Sequence, residues 1–223
     1  MDSLKRLSKL YPKTYKLLQS YLNLDFGKVK VRCPYWINKI NKGIRGPFSG
    51  KGTPGQIIKS AYSSAKREGI DIDKLKSYEI TKLLKRNRIG VDCSGFAYHV
   101  LDTLDREKGG NGIADDLFLP AGRQAAKPRF PAWNPAWRAS ADLLTSEIVT
   151  KVIMLLNDVK VGDMIRTENG RHIYVTVDVS KKNIICSHSS SLLARDGGVN
   201  LQAFSKDHLK NNDKISIRRF KWW

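Results

Sequence analysis

The stretch Ile89-Gly90-Val91-Asp92-Cys93-Ser94-Gly95-Phe96 decides how this chain is read, because a short apolar run meets a cysteine where a helix can begin. From Phe96 onward apolar residues fall at 96, 97, 100, 101 and 104, the three-to-four-residue rhythm of an amphipathic helix. Cys93 is therefore expected in the first turn of that helix. Unpaired N–H groups and the positive end of the macrodipole favour a thiolate there, and such settings bring a cysteine pKa from about 8.5 down to roughly 3.5–7.5. Asp92 or Ser94 is placed to cap the turn, and Gly95 leaves room for a substrate to approach. The plainer alternative is a small buried cysteine in a core helix, since free Cys is among the most buried residue types.

Upstream, the leucines and tyrosines of residues 4–26 keep a helical rhythm among lysines, interrupted by Pro12, which predicts two short amphipathic helices; a basic amphipathic segment can lie on a membrane, but docking on the protein's own core is the commoner outcome. The glycine-rich passage Gly43 to Gly55 predicts a loop; its Gly50-Lys51-Gly52-Thr53 lacks the spacing and preceding strand of a phosphate loop. Thr53-Pro54 predicts a capped helix running to Gly69, and a second helix is expected over Asp73 to Arg88. Residues 1–88 thus form a helical and loop region packed on a core of 89–223.

Downstream, residues 108–137 are irregular and proline-rich and predict a loop insert, with Trp133 and Trp137 as a substrate-facing wall or as loop packing. A helix is expected near Ser140–Thr150, followed by strands. Val161 to Arg166 reads as a turn entering a strand and Glu168-Asn169-Gly170 as a hairpin turn. His172 to Val179 alternates cleanly, with Ile173, Val175, Val177 and Val179 on one face and His172, Tyr174, Thr176 and Asp178 on the other. Ile184 to His188 places Cys186 and His188 on one face, and a last strand is expected near Lys214–Phe220. The fold class read from this order is α+β, N-terminal helices on a small antiparallel sheet or half-barrel.

The chain has 223 residues, 41% hydrophobic, and 40 Lys plus Arg against 21 Asp plus Glu, a net charge of +19 that predicts attraction to anionic polymers or surfaces. The basic residues are dispersed, so charge alone does not choose among wall polymer, acidic membrane and nucleic acid. No recognised nucleic-acid motif is present, which disfavours that partner. Cys33, Cys93 and Cys186 cannot all pair within one chain and have no metal-ligand spacing, so neither a disulfide framework, a metal site nor a cofactor is expected. The first residues lack a signal-peptide run and no window is long and apolar enough to span a membrane, so a soluble chain without an export signal is expected.

A cysteine at a helix start, a histidine opening a strand and a polar residue on the next strand make the set that nucleophilic cysteine catalysis requires. Cys93, His172 and His188 are the candidates, with the backbone N–H of Cys93 as oxyanion donor. Asp92, Ser94, Tyr174 and Trp133 are the candidates for substrate contact. His99 reads as packed or solvated, and His208 as a loop residue.

The ordered set Asp92-Cys93-Ser94-Gly95-Phe96, Val161-Gly162-Asp163-Met164-Ile165, His172-Ile173-Tyr174-Val175 and Ile184-Ile185-Cys186-Ser187-His188-Ser189-Ser190 resembles the NlpC-type cell-wall cysteine peptidases over about residues 89–200. The resemblance implies a papain-like α+β fold and hydrolysis of peptide bonds, typically in peptidoglycan stem peptides where D-glutamate is linked to a diamino acid. It implies Cys93 as nucleophile and His172 as base. The third position falls on His188, or on Cys186 if no two-residue shift is allowed. The family's tyrosine and glycine pair shortly before the nucleophile has no obvious counterpart, since Tyr35 is distant and two helices intervene. Related thiol acyltransferases and lipid hydrolases often carry the histidine before the cysteine, so the order Cys93 then His172 favours a peptidase. A basic, non-enzymatic polyanion-binding module is the remaining reading.

Overall fold

The computed structural model describes residues 4–118, 134–167, 170–191 and 197–223. Trp133 and residues 168–169 of the expected hairpin turn lie outside the described residues.

The helices begin where the local chemistry says they should. Pro12 occupies the first position of α2 (Pro12–Leu22), which follows α1 (Lys5–Leu10). The α2 start takes its acceptors from a distant carboxylate: Glu107 accepts from the Lys13 and Thr14 N–H groups, each at 2.7 Å, and so satisfies donors that a helix cannot satisfy itself. In α3 (Pro54–Arg67) Thr53 and Gln56 form a reciprocal capping box, and Pro54 pre-sets the first turn. Next come α4 (Ser77–Arg86) and α5 (Cys93–Glu107), the latter capped by Asp92, whose Oδ1 accepts from the Gly95 N–H at 2.7 Å. Short helices α6 (Ala114–Phe118), α7 (Ala141–Leu144) and α8 (Lys206–Lys210) complete the set.

A small antiparallel pair, β1 (Leu24–Asp25) and β2 (Lys30–Val31), follows α2. The main sheet contains β3 (Thr150–Val152), β4 (Met164–Thr167), β5 (His172–Val179), β6 (Asn183–Ser190), β7 (Gly198–Ser205) and β8 (Ser216–Phe220). Its six strands lie in the order β3-β8-β4-β5-β6-β7, and every neighbouring pair is antiparallel. Mixed helix and antiparallel sheet is thus the architecture. The larger core runs through it, from Leu7 and Leu18 of the N-terminal helices through Phe96, Val100 and Leu101 of α5 to Ile173, Val175 and Phe220 of the sheet. Tyr21 joins the halves, its ring edge-on to Phe96 at 5.3 Å and its hydroxyl donating to Gly52 O at 2.9 Å. The described residues of 1–88 and of 89–223 share this core.

Several expectations change. The helix expected over Ser140–Thr150 stops at Leu144, where Thr145 turns its hydroxyl back to Ala141 O at 2.7 Å, and β-branched Ile148, Val149 and Thr150 lead into β3. The face expected to carry Val179 with Ile173, Val175 and Val177 is broken by a bulge between Thr176 and Asp178, which leaves Val177 in the main core and moves Val179 to a second cluster around Ile184, Cys186 and Phe204. Strand β7 was not expected; its side chains alternate weakly in polarity, but it pairs with β6 along its length. His208 lies in α8, not in a loop.

Candidate active site

Strand β6 pairs with β5 only from Val175↔Ser187 onward, so the start of β5 and the end of β6 part from each other. The N-terminus of α5 is wedged into that parting. On one side the Cys93 thiol meets Arg171 O at 3.9 Å and receives the Ile173 N–H, the backbone groups on either side of His172. On the other side Ser189 of β6 donates its hydroxyl to Val91 O at 2.8 Å, clamping the strand to the segment before the helix. The wedge brings Cys93 to the backbone that flanks His172, although Cys93 and Arg171 lie 78 positions apart in the chain.

His172 Nε2 lies 2.8 Å from His188 Nδ1, and the two rings are nearly perpendicular. Of the two residues read for the third position, His188 is the one that meets His172. Cys186 points elsewhere: it is buried against Thr176 Oγ1 at 3.7 Å, and burial pushes its thiol up to about 12. Tyr174, expected at the substrate, covers the His188 ring at 4.3 Å and packs edge-on to Phe204 at 5.1 Å. His188 itself is fully buried. No protein-family model, curated protein or solved structure matches this chain.

Burial depresses the His188 pKa to about 3, with the His172 charge acting in the same direction. A neutral His188 orients His172 without charge, and its Nδ1 accepts a His172 N–H or donates to Nε2 according to the tautomer. Because the folded state holds this imidazole neutral and the unfolded chain protonates it near pH 6.5, stability is expected to be lost as pH falls from about 6.5 towards 3. Urea unfolding across that window is the measurement. His188→Gln should flatten part of the slope, and an unchanged slope would place the acid sensitivity elsewhere.

The Cys93 thiol departs from expectation. Burial raises its pKa to about 11, the Asp92 charge adds to the rise, and Lys51 with the Ser94 and Ile173 N–H groups only partly offsets them. The helix start does favour a thiolate, but a buried site beside a carboxylate opposes it more strongly. The resting sulfur is a thiol.

Asp92 and Ser94 correct a second expectation. Both are buried, and they face Lys51 rather than open space. The Lys51 ammonium donates to Asp92 Oδ1 at 2.9 Å, to Ser94 Oγ and to Ala139 O at 3.0 Å, so its three protons have three acceptors. Gly95 serves this packing too, since a Cβ there would lie 2.5 Å from Gly50 O and 2.7 Å from Lys51 Cδ. It makes room for the Gly50–Lys51 backbone, not for a substrate.

Sequence reasoning set Tyr35 aside as distant, and the structure corrects this. Pro34 O accepts from the Val91 N–H at 3.1 Å and Trp36 N donates to Val91 O at 3.3 Å, a short parallel pairing that sets Tyr35 beside Val91. Burial raises the Tyr35 pKa first, then the neighbouring Cys93 and Asp92 charges. Gly90 permits the approach, because a Cβ there would meet Pro34 O at 2.4 Å. His99, as read, is a packed residue, its Nε2 2.9 Å from Lys51 O.

Proposed function

We propose that this chain is a papain-like cysteine peptidase of the NlpC type, acting on peptide bonds of peptidoglycan stem peptides. The observation that carries the proposal is the wedge: a thiol in the first turn of α5, resting on the backbone either side of His172, whose Nε2 is held by His188. A surface of net charge +19 suits an anionic wall polymer as the setting of the substrate.

The chemistry follows from the resting thiol. As Cys93 Sγ attacks the carbonyl carbon, its proton passes to His172, so the sulfur becomes nucleophilic in the step that uses it. His188 steadies the resulting imidazolium by accepting from Nε2–H, leaving Nδ1 to carry the proton. The oxyanion forms beside the Cys93 N–H, at a helix position where the backbone provides no acceptor. The C–N bond then breaks, His172 protonates the departing amine, and a thioester remains on Cys93. Water attacks that thioester with His172 as base, releasing a carboxylic acid and restoring the thiol. Tyr35 stands at the same edge and is the residue we place against the substrate beside Cys93.

Incubation with stem peptides containing the D-glutamyl-diamino acid bond, followed by mass spectrometry, tests the proposal. Two fragments summing to the peptide plus one water are expected. Intact peptides and intact wall fragments, from protein that iodoacetamide fails to alkylate even at pH 10, would reject it. The specific observation favouring a second reading is the high thiol pKa together with the charge: a polyanion-binding module needs no ionised sulfur. Heparin affinity that falls steeply with salt, without peptide cleavage, would support that reading.

A further inference from the structure

The apolar run Val152-Ile153-Met154-Leu155-Leu156 begins as strand β3 but leaves the sheet at once. Met154 is 83% exposed and Leu155 66%, and Val152 and Ile148 beside them are 45% and 53% exposed. Scattered exposed apolar residues are ordinary; four large ones within eight positions, at the sheet's edge strand, are not. Apolar surface continues behind the tip into a groove of 440 Å³, where Leu209, Ile215 and Ile217 meet Val152 and Ile153. A second groove on the other flank holds Lys160, and the first holds Lys210.

The charges around the tip narrow the choice of partner. Lys151, Lys160, Lys210 and Lys214 are exposed, against exposed Asp158 and Asp213; Glu147 is paired with Arg218 at 3.5 Å. A second copy would bring another +19 against this face, which opposes self-association. A water-soluble polyanion would satisfy the lysines but leave Met154 and Leu155 in water. An anionic bilayer satisfies both, since its headgroups meet the ammonium groups while the acyl boundary receives the apolar tip.

We infer that the Met154-Leu155 tip inserts into the interface of an anionic lipid bilayer, with Lys151, Lys160 and Lys210 on the headgroups. This surface is independent of the proposed chemistry at Cys93. The test is co-sedimentation of the full chain with vesicles of phosphatidylcholine alone and of phosphatidylcholine with phosphatidylglycerol, at 0.15 M salt. Wild type should bind the second and not the first. Met154→Ser/Leu155→Ser should bind about tenfold more weakly or worse, as two large apolar side chains stay in water, with unchanged heparin retention and unfolding midpoint. Equal vesicle binding by both proteins would overturn the inference in favour of charge alone, as would no vesicle binding by wild type. A dimer in sedimentation that the double variant abolishes would overturn it in favour of a second copy.

Discussion

Cys93→Ala should lower peptide turnover by about 10⁴-fold or more while barely moving the unfolding midpoint. The sulfur forms and breaks the covalent bond in the proposed reaction, and no neighbouring group can replace it: Ser94 Oγ is held by Lys51, and Cys33 and Cys186 are buried elsewhere. Removing one buried sulfur that donates to a carbonyl as far as 3.9 Å away should cost about 1 kcal/mol of stability. His172→Ala should fall nearly as far in turnover. His188→Ala should lose less, because a neutral imidazole steadies the charge on His172 without itself carrying one. Turnover that survives Cys93→Ala would sink the mechanism, and a collapse of stability in the same variant would make the thiol a core residue.

Lys51→Met should destabilise the fold by about 3–5 kcal/mol, the effect expected when one partner of a buried ion pair is removed. The variant leaves the Asp92 carboxylate buried with the Gly95 N–H and the Ser94 hydroxyl as its donors among the described residues, and leaves Ala139 O without its ammonium. Three segments lose their common tie: the Gly50 loop, the start of α5 and the chain entering α7. Urea unfolding of Lys51→Met and of Lys51→Met/Asp92→Asn reads the effect, and the double variant should recover part of the loss because its amide is neutral. A change below about 1 kcal/mol in the single variant would mean that water already screens the pair.

Cys93, His172 and His188 were legible because each sits in a local pattern: a capped helix start, the first residue of an alternating strand, and a polar position on its neighbour. Tyr35 and Lys51 left no such mark. They reach the site through single bridges to Val91, whose partners are set by tertiary packing and by close approaches at Gly50 and Gly90. The alternation of β5 hid its bulge, because one extra residue changes the face of Val179 without changing composition. The resting state of Cys93 was misjudged for an electrostatic reason. A sequence names the helix dipole, but burial and the orientation of Asp92 exist only once the chain is folded.

Strand β8 lies between β3 and β4, although more than sixty residues separate it from β3 along the chain. Translation therefore cannot finish this sheet in the order in which it is made. Until Phe220 has left the ribosome, β3 lacks its neighbour and β4 keeps an open edge, each a template for strands of other chains. A ribosome that pauses before Ser216 holds out both edges together with the Met154-Leu155 tip, so the interval before β8 emerges is the one in which this sheet is most open to pairing with other chains.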